Sequence, residues 1–317
     1  MSALTRRQFA LTSLALAGMA GVPLGAAPVK TLKIGYQKTG LPVIAQQQKT
    51  IETAVQPLGV AAEWVEFSAG PPLVEALNVG AIHLGWTGDA PPIFGQASGA
   101  AISYVAAFPS NGRGEAIFTK PESGIKTVAD LKRRKVAVGK GTSANNLVVA
   151  ALEANGLQFS DIEPVYLSPA DAGAAFAADK VDAWAVWDPF FAVAEVRFKP
   201  VVLVRTADVL KVHSYFLANR DFTADNAEVI DKTLGALKEA AAWAAANRDK
   251  VAQALHEVTG VPLAAQKIAA ERQDFGLFPL SDAIIASQQQ TADRFFRLGL
   301  IPKQITVADA VWSGGRA

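Results

Sequence analysis

The sequence predicts an α/β fold made of two doubly wound lobes, and three observations carry this prediction. Short β-prone segments alternate with stretches of helical apolar spacing through residues 32–206. Such alternation is typical of mostly parallel sheets with helices on both faces. The alternation stops at residues 108–114, which are rich in turn formers, and then starts again, which predicts a second lobe. From residue 227 onward the spacing is almost wholly helical.

The composition excludes several classes of function. The 317 residues carry a net charge of +1, which argues against nucleic acid or an anionic membrane surface as the main partner. Cysteine is absent, so a disulfide, a thiolate metal site and a cysteine nucleophile are excluded. The three histidines lie in unrelated segments and cannot supply a His-rich metal cluster. We therefore expect no cofactor.

Residues 1–27 have the features of a twin-arginine signal peptide. Arg6 and Arg7 precede a modest apolar run, and small residues follow at residues 25–27. A membrane anchor is the alternative, but the run is short and rich in Ala and Gly. Since no cysteine follows the run, a lipid-anchored form is excluded. We expect the mature chain in the bacterial periplasm, after cleavage of the signal.

The elements of the first lobe follow from turn signals and apolar spacing. One helix is predicted to begin near Pro42 and to run to a stop at Pro57. Another helix begins after Asp89, with prolines in the first turn, where proline is tolerated. Strands are predicted over residues 32–36, 61–67, 82–85 and 102–107.

The second lobe repeats the pattern, and the chain then returns to the first. Residues 213–218 are β-prone and are interpreted as the return crossing. The helices that follow have apolar spacing that fits packing against one lobe. Strands are predicted over residues 116–119, 135–138, 163–167, 181–187 and 201–206, and the later helices over residues 227–246, 248–258, 262–271 and 281–298. These limits assign residues 28–112 and 216–317 to lobe I and residues 113–215 to lobe II.

The most informative segment is the corner between the strand at residues 135–138 and the next helix. Gly139 and Gly141 permit a tight turn, and Thr142 or Ser143 is a natural N-cap. Unpaired backbone N–H groups and the positive end of the helix dipole then converge on one point. Such a point holds an oxyanion without a metal, although an ordinary structural corner has the same sequence signature.

Three further corners of this kind lie at residues 37–40, 87–89 and 187–188. In doubly wound sheets these corners lie at the carboxyl edge, where ligands bind. Closing the two lobes would bring the four helix starts around one cleft. The candidate ligand-binding residues on these corners are Gln37, Gly88, Asp89, Thr142, Ser143, Trp187 and Asp188. For the two aspartates we favour plain N-caps, whose corners still offer backbone N–H groups.

Other candidates come from the apolar wall and from the crossings between the lobes. Trp86 and Trp187 flank two corners and can face an organic tail. The alternation of a strand does not decide between Trp184 and Trp187, and the corner position favours Trp187. Arg113 in the first crossing could reach an anion or remain a solvated surface residue. His213 could donate to the ligand, although a structural role is favoured.

Catalytic and nucleotide-binding signatures are missing from the sequence. No nucleophile, base and orienting group form a recognisable set, and no carboxylates are visibly paired for acid–base chemistry. Glycine-rich phosphate motifs of the Walker type are also absent. The sequence therefore favours a binding function.

The motifs jointly resemble those of the periplasmic aliphatic sulfonate-binding proteins of ABC importers. The resemblance covers essentially all of the mature chain. It rests on Ile34-Gly-Tyr-Gln-Lys38, Thr87-Gly-Asp89 with Pro91-Pro-Ile-Phe94, Val181-Asp-Ala-Trp184 with Trp187-Asp-Pro189, and Gln288-Gln-Gln-Thr-Ala-Asp293. Two departures are Trp86, where a small residue is expected, and the lone Arg113.

The resemblance implies a type II periplasmic binding protein fold, with two α/β lobes joined by a two-strand hinge and the ligand in the cleft. It implies capture of aliphatic sulfonates for sulfur uptake, delivery to a membrane permease, and a monomer. A taurine or nitrate binder of the same fold is the first alternative. An enzyme is a further one, although the thiamin-pyrimidine synthases of this fold rely on a cysteine-rich motif that is absent here. The last alternative is a ligand sensor or a structural export protein.

Overall fold

The computed structural model describes residues 29–315, so the predicted signal peptide lies outside the described residues. In chain order, the strands of this part are β1 (Thr31–Tyr36), β2 (Ala61–Glu66), β3 (Leu84–Thr87), β4 (Ile102–Phe108), β5 (Glu115–Thr119), β6 (Lys135–Val138), β7 (Glu163–Tyr166), β8 (Ala183–Trp187), β9 (Val201–Arg205) and β10 (Ser214–Asn219). They form two five-stranded sheets, and each sheet with its helices is one lobe.

The first sheet, in lobe I, has the order β2-β1-β3-β10-β4, and the second, in lobe II, has the order β7-β6-β8-β5-β9. In each sheet four strands run in one direction, and the strand that enters from the other lobe lies between two of them and runs antiparallel to both. The sheets are therefore mixed, because β10 and β5 each enter their sheet from the other lobe.

Helices cover the sheets on both faces, as a doubly wound fold requires. They are α1 (Leu41–Gln48), α2 (Thr50–Val55), α3 (Gly70–Asn78), α4 (Ala90–Ala97), α5 (Ser143–Ala154), α6 (Pro169–Ala177), α7 (Phe190–Phe198), α8 (Thr206–Val209), α9 (Arg220–Asp225), α10 (Ala227–Ala246), α11 (Arg248–Thr259), α12 (Leu263–Arg272) and α13 (Asp282–Arg297).

The core of each lobe is split by its sheet into two apolar layers. Along β8, Ala183 and Ala185 pack on one face, whereas Trp184 and Val186 pack on the other. This alternation follows from the two-residue period of a strand. Trp184 is thereby buried in the core of lobe II.

Two predicted elements differ in the structure. The single helix expected after Pro42 is divided into α1 and α2 by Lys49, whose φ of 54° is left-handed. A non-glycine residue in this region costs about 1–3 kcal/mol, which propensity alone cannot anticipate. The third strand lies at Leu84–Thr87 and not at residues 82–85, because Ile34 of β1 pairs with Leu84.

The C-terminal helices do not pack against one lobe alone, contrary to the expectation from their apolar spacing. Ala265 and Ala269 of α12 pack against Ala192 of α7 in lobe II. Small residues allow the two helices to approach closely. The C-terminal segment therefore contacts both lobes and borders the cleft between them.

Candidate functional site

The four predicted corners meet at one cavity of about 150 Å³ between the two sheets. The carboxyl ends of β1 and β3 approach it from lobe I, and the end of β8 and the start of α5 approach it from lobe II. Of the candidate residues, the cavity is lined by Gln37, Gly88, Asp89, Thr142, Ser143, Trp187, Asp188 and His213.

The corner before α5 is a capped helix start, and one of its amides is already engaged. Thr142 is the N-cap, and its Oγ1 accepts a hydrogen bond from the Asn145 N–H at 3.3 Å. Gly141, with a φ of 71°, donates its own N–H to Asn145 Oδ1 at 3.0 Å. The Gly141 amide is therefore engaged, and the first turn of the helix leaves the N–H groups of Ser143 and Ala144 for a ligand.

The buried carboxylate of Glu115, which the sequence did not point to, accepts a hydrogen bond from the Ser143 hydroxyl. Ser143 Oγ donates to Glu115 Oε1 at 2.6 Å, and Thr206 Oγ1 donates to Glu115 Oε2 at 2.7 Å. Burial raises the pKa of Glu115, and the two hydroxyl donors oppose this rise. Because its hydrogen is committed to Glu115, the Ser143 hydroxyl is not a free donor. The available signal was an acidic residue at the start of the apolar strand β5.

Asp89 does not act as the predicted side-chain N-cap of α4. Its carboxylate makes no capping hydrogen bond and instead accepts from Asn146 Nδ2 of lobe II at 2.5 Å. Asp89 Oδ1 is buried without a hydrogen-bond partner. Burial raises the pKa of Asp89 to about 7, and the nearby Glu115 adds to this rise. The prediction of a cap failed because α5 brings a donor from the other lobe.

Asp188 combines a cap with a free carboxylate oxygen. Its Oδ1 accepts from the Ala192 N–H at 2.9 Å, in the first turn of α7, as expected for a cap. Its Oδ2 is buried without a hydrogen bond and lies 3.8 Å from Arg272 Nη1 of α12. Burial raises the pKa of Asp188 to about 7, and Arg272 opposes this rise. Arg272 is distant in sequence, and no local signal pointed to it.

Aromatic side chains form an apolar wall beside the polar corners. Trp86, Phe108 and Trp187 line the cavity, whereas Trp184 is buried away from it. The open choice between Trp184 and Trp187 is thereby decided for Trp187. Gln37 is fixed near this wall, because its Nε2 donates to the Trp86 carbonyl at 3.2 Å.

The two candidates in the crossings have different surroundings. His213 is half-buried and lines the cavity, its Nδ1 has no hydrogen-bond partner, and burial lowers its pKa, which favours the neutral ring. Arg113 is exposed and is not among the residues that line the cavity. Arg113 follows the turn at Gly112, which has a φ of 67°. The backbone N–H of Arg113 donates to Asn111 Oδ1 at 2.9 Å.

Polar contacts across the cleft show that the lobes are closed on one another. Arg294 of α13 donates to Asn146 Oδ1 of α5 at 3.0 Å and also lies 3.8 Å from Glu153. Where the Gly88 corner meets the start of α5, a Cβ placed on Gly88 would lie 2.9 Å from Ser143 Cβ. The two helix starts therefore face each other at van der Waals distance.

The arrangement suits a small anion with an organic tail. Residues at the starts of α4 and α5, one helix from each lobe, line the cavity together with the aromatic wall, and a helix start favours an anion. Residues 29–315 contain no group of three His, Asp or Glu side chains placed to hold a metal ion. Within the same range, no helix is both long and apolar enough to span a bilayer.

Comparisons with known proteins agree with this geometry. Residues 59–251 match the family model described as NMT1/THI5 like. The chain is 40% identical over 310 residues to an aliphatic sulfonates-binding protein of Escherichia coli, covering 95% of this chain and 96% of that protein. The structure resembles the alkanesulfonate-binding protein SsuA of Xanthomonas axonopodis pv. citri bound to MOPS, with a TM-score of 0.87 and 39% identity over 92% of this chain and 100% of that one.

A second solved structure, the periplasmic aliphatic sulphonate binding protein SsuA from Escherichia coli, has a TM-score of 0.81 and 40% identity over 92% of this chain and 94% of that one. Its similarity extends across both lobes and therefore includes the cleft. The chain belongs to the NMT1/THI5-like family and, within it, to the SsuA group of aliphatic sulfonate-binding proteins.

Proposed function

We propose that this protein is the substrate-binding component of an ABC importer and captures aliphatic sulfonates for sulfur uptake. The observation that carries the proposal is the meeting of the Gly88 corner of lobe I with the Ser143 helix start of lobe II at one cavity. Relatives at 39–40% identity are named as sulfonate binders, which supports the same ligand class.

The interaction energies are sufficient for tight binding. A sulfonate is anionic at physiological pH and offers three acceptor oxygens. Charge-assisted hydrogen bonds contribute about 1.5–3 kcal/mol each, and a helix N-terminus adds about 0.3–1 kcal/mol. Micromolar affinity requires about 8 kcal/mol. A few such bonds with apolar contact on Trp86 and Trp187 reach this value after the cost of ordering the lobes.

We further propose that ligand binding is a hinge closure that a permease recognises. Each lobe supplies part of the donor set, so the ligand stabilises the closed form. The lobes are proposed to be residues 28–112 with 216–317 and residues 113–215, which is supported by the division of the strands between the two sheets. The protein is proposed to be a monomer exported to the periplasm by the twin-arginine signal at residues 1–27.

The residues proposed to contact the ligand are those of the corners and His213, namely Gln37, Gly88, Asp89, Thr142, Ser143, Trp187, Asp188 and His213. Arg113 is proposed to contribute to ligand binding from outside the cavity. We also propose that the site binds its ligand without turnover. Both carboxylate oxygens of Glu115 are occupied by hydroxyl donors, so Glu115 is not poised to activate a water. Hydrolysis of a sulfonate ester by the purified protein would contradict this proposal.

Isothermal titration calorimetry tests the ligand class. The panel is ethane-, butane- and octanesulfonate, taurine and nitrate, titrated into the mature protein. We expect micromolar or tighter binding of at least one alkanesulfonate. Binding of nitrate without any alkanesulfonate would contradict the proposal and would indicate a nitrate binder, whereas exclusive binding of taurine would indicate a taurine binder.

A further inference from the structure

The lining of the cavity is acidic, although the proposed ligand is an anion. Of the described residues that line it, one is an arginine and four are acids, namely Asp89, Glu115, Asp188 and Asp274. The arginine, Arg272, pairs with Glu195 and lies 3.8 Å from Asp188, so its charge is already balanced by carboxylates. A negatively charged ligand therefore meets no unpaired cation in this lining.

Positive potential is supplied instead by the starts of α4 and α5, which meet at the contact of Gly88 with Ser143. A helix N-terminus is equivalent to about half a positive charge, so two of them balance about one negative charge. A sulfonate carries one negative charge. A second negative charge on the head group of a ligand would not be balanced at this contact.

Glu115 is a buried carboxylate in direct contact with the start of α5. Its two oxygens accept from Ser143 Oγ at 2.6 Å and from Thr206 Oγ1 at 2.7 Å. These two donors favour the charged form, because a carboxylate accepts on both oxygens whereas a protonated carboxyl group must donate from one. Ser143 also has a first-turn N–H for a ligand, so a head group bound there would lie one residue from the Glu115 charge.

Asp89 adds a second carboxylate from the opposite lobe. Its Oδ2 accepts from Asn146 Nδ2, near the start of α5, at 2.5 Å, and its Oδ1 is buried without a hydrogen-bond partner. Asp89 directly follows Gly88, whose added Cβ would lie 2.9 Å from Ser143 Cβ. The two acids therefore flank the contact between the helix starts, one from each lobe.

The other groups that face Asp89 leave its charge in place. Arg294 of α13 lies 3.8 Å from Glu153 of α5, so its positive charge is shared with another carboxylate. Tyr104 of β4 and Tyr215 of β10 are buried, and burial raises the pKa of both phenols, so they remain uncharged. The electrostatic environment of the helix starts is therefore set by the two acids.

We propose that the carboxylates of Glu115 and Asp89 restrict this cavity to singly charged anions. A sulfonate keeps one negative charge at every physiological pH. Sulfate and a doubly ionised phosphonate have similar tetrahedral oxygens but carry two charges. Because closure buries the ligand beside both acids, where charges interact more strongly than in water, the second charge is repelled. The inference rests on the proposed function, since it concerns the same ligand site.

The test compares ethanesulfonate with ethylphosphonate, which have the same ethyl tail and a head of three oxygens. The phosphonate loses its second proton near neutral pH, as phosphate esters do, whereas the sulfonate does not titrate. Calorimetry from about pH 6 to about pH 9 gives the Kd of each ligand, and the ratio of phosphonate Kd to sulfonate Kd removes titration of the protein that affects both. In the wild-type protein this ratio should rise by up to about tenfold per pH unit once the free phosphonate is doubly charged, because only its singly charged form would bind.

Two variants assign the discrimination to the acids. Glu115→Gln keeps an acceptor for the Ser143 hydroxyl but removes the charge, and Asp89→Asn does the same for the Asn146 amide. In each variant the ratio at the highest pH should fall about tenfold, because one repelling charge is gone. Glu163→Gln, at an exposed acid of β7 in the same lobe as Glu115, is the matched control and should keep the wild-type ratio. Urea denaturation verifies that each variant is folded, and a general loss of structure would weaken both ligands without changing the ratio.

The outcomes separate this inference from the proposed function. If the wild-type protein binds the doubly charged phosphonate as tightly as the sulfonate, within about twofold, discrimination by charge is overturned and sulfonate capture stays intact. A wild-type ratio in either folded acid variant would overturn the role of that acid. The same fall of the ratio in Glu163→Gln would indicate a general effect of net charge and would also overturn the inference. Absence of binding by every alkanesulfonate would instead refute the proposed function.

Discussion

The close approach of the two helix starts makes Gly88→Ala a sensitive test of lobe closure. The new Cβ would lie 2.9 Å from Ser143 Cβ and 3.1 Å from Ser143 Oγ, whereas ordinary contacts begin at 3.4 Å. Both Cβ positions are fixed by backbone, so the clash is relieved only if the lobes separate by several tenths of an ångström. The residue has no left-handed φ that would strain an alanine.

The expected magnitude follows from the energetics of overpacking. Forcing one extra carbon into a packed contact costs about 1–3 kcal/mol. Since this contact joins the two lobes, the cost falls on the ligand-bound closed form, and sulfonate affinity should fall about 5- to 150-fold. The free energy of unfolding of the ligand-free protein should change by less than about 0.5 kcal/mol, because the open lobes do not meet at this point.

Calorimetry with the tightest alkanesulfonate and urea denaturation of the free protein measure the two quantities. Gly235→Ala is the control, because nothing lies within 4 Å of its added Cβ. It should leave the affinity unchanged. Adding Ser143→Gly to Gly88→Ala removes one of the colliding carbons and should restore part of the affinity. Wild-type affinity in Gly88→Ala, within about twofold, would refute the closed contact as the binding geometry.

Three further predictions use the same cleft. Burial raises the pKa of Asp89 from an ordinary value near 3.9 to about 7, so the folded state holds more protons between these pH values. The free energy of unfolding of the closed, sulfonate-saturated protein should therefore decrease as pH rises from 4 to 7, by up to about 1.4 kcal/mol per pH unit. Asp89→Asn should reduce this slope in urea titrations with saturating sulfonate, and an identical slope would contradict the assignment. Arg294→Leu breaks the bond to Asn146 across the cleft and should weaken sulfonate binding about 5- to 30-fold. Arg297→Leu removes an exposed partner of Glu153 and should change the affinity less than about threefold. Equal effects of the two variants in calorimetry would argue against Arg294 as a contact that holds the lobes closed. Trp187→Ala should lower octanesulfonate affinity about tenfold, because the indole would lose about 50 Å² of apolar contact with the tail at about 25 cal/mol per Å². The affinity for ethanesulfonate, which has a short tail, should fall much less. Equal losses for the two ligands would mean that the indole does not contact the tail.

Local rules in the sequence determined much of the fold and the placement of the anion corners. The α10 helix follows its predicted limits of residues 227–246, because apolar spacing acts over short distances. The Thr142 cap and the left-handed Gly141 are likewise short-range features. Doubly wound topology then places strand ends at one edge, so the corners could be expected to share a cleft.

The tertiary structure alone decided which side chains act across that cleft. Glu115, Asn146 and Arg272 reach the cleft residues Ser143, Asp89 and Asp188 through contacts that span 28 to 84 residues of sequence. No local pattern encodes such a contact, because it depends on how the two lobes close and where α12 returns.

The same reason explains the two outcomes at the aspartates. Asp188 caps α7 from the position before the N-cap residue Pro189, since its partner Ala192 is four residues away. Asp89 lost its predicted cap to Asn146, a donor that only lobe closure brings near. The sequence determined the corners and the elements, whereas closure of the lobes decided which side chains meet across the cavity.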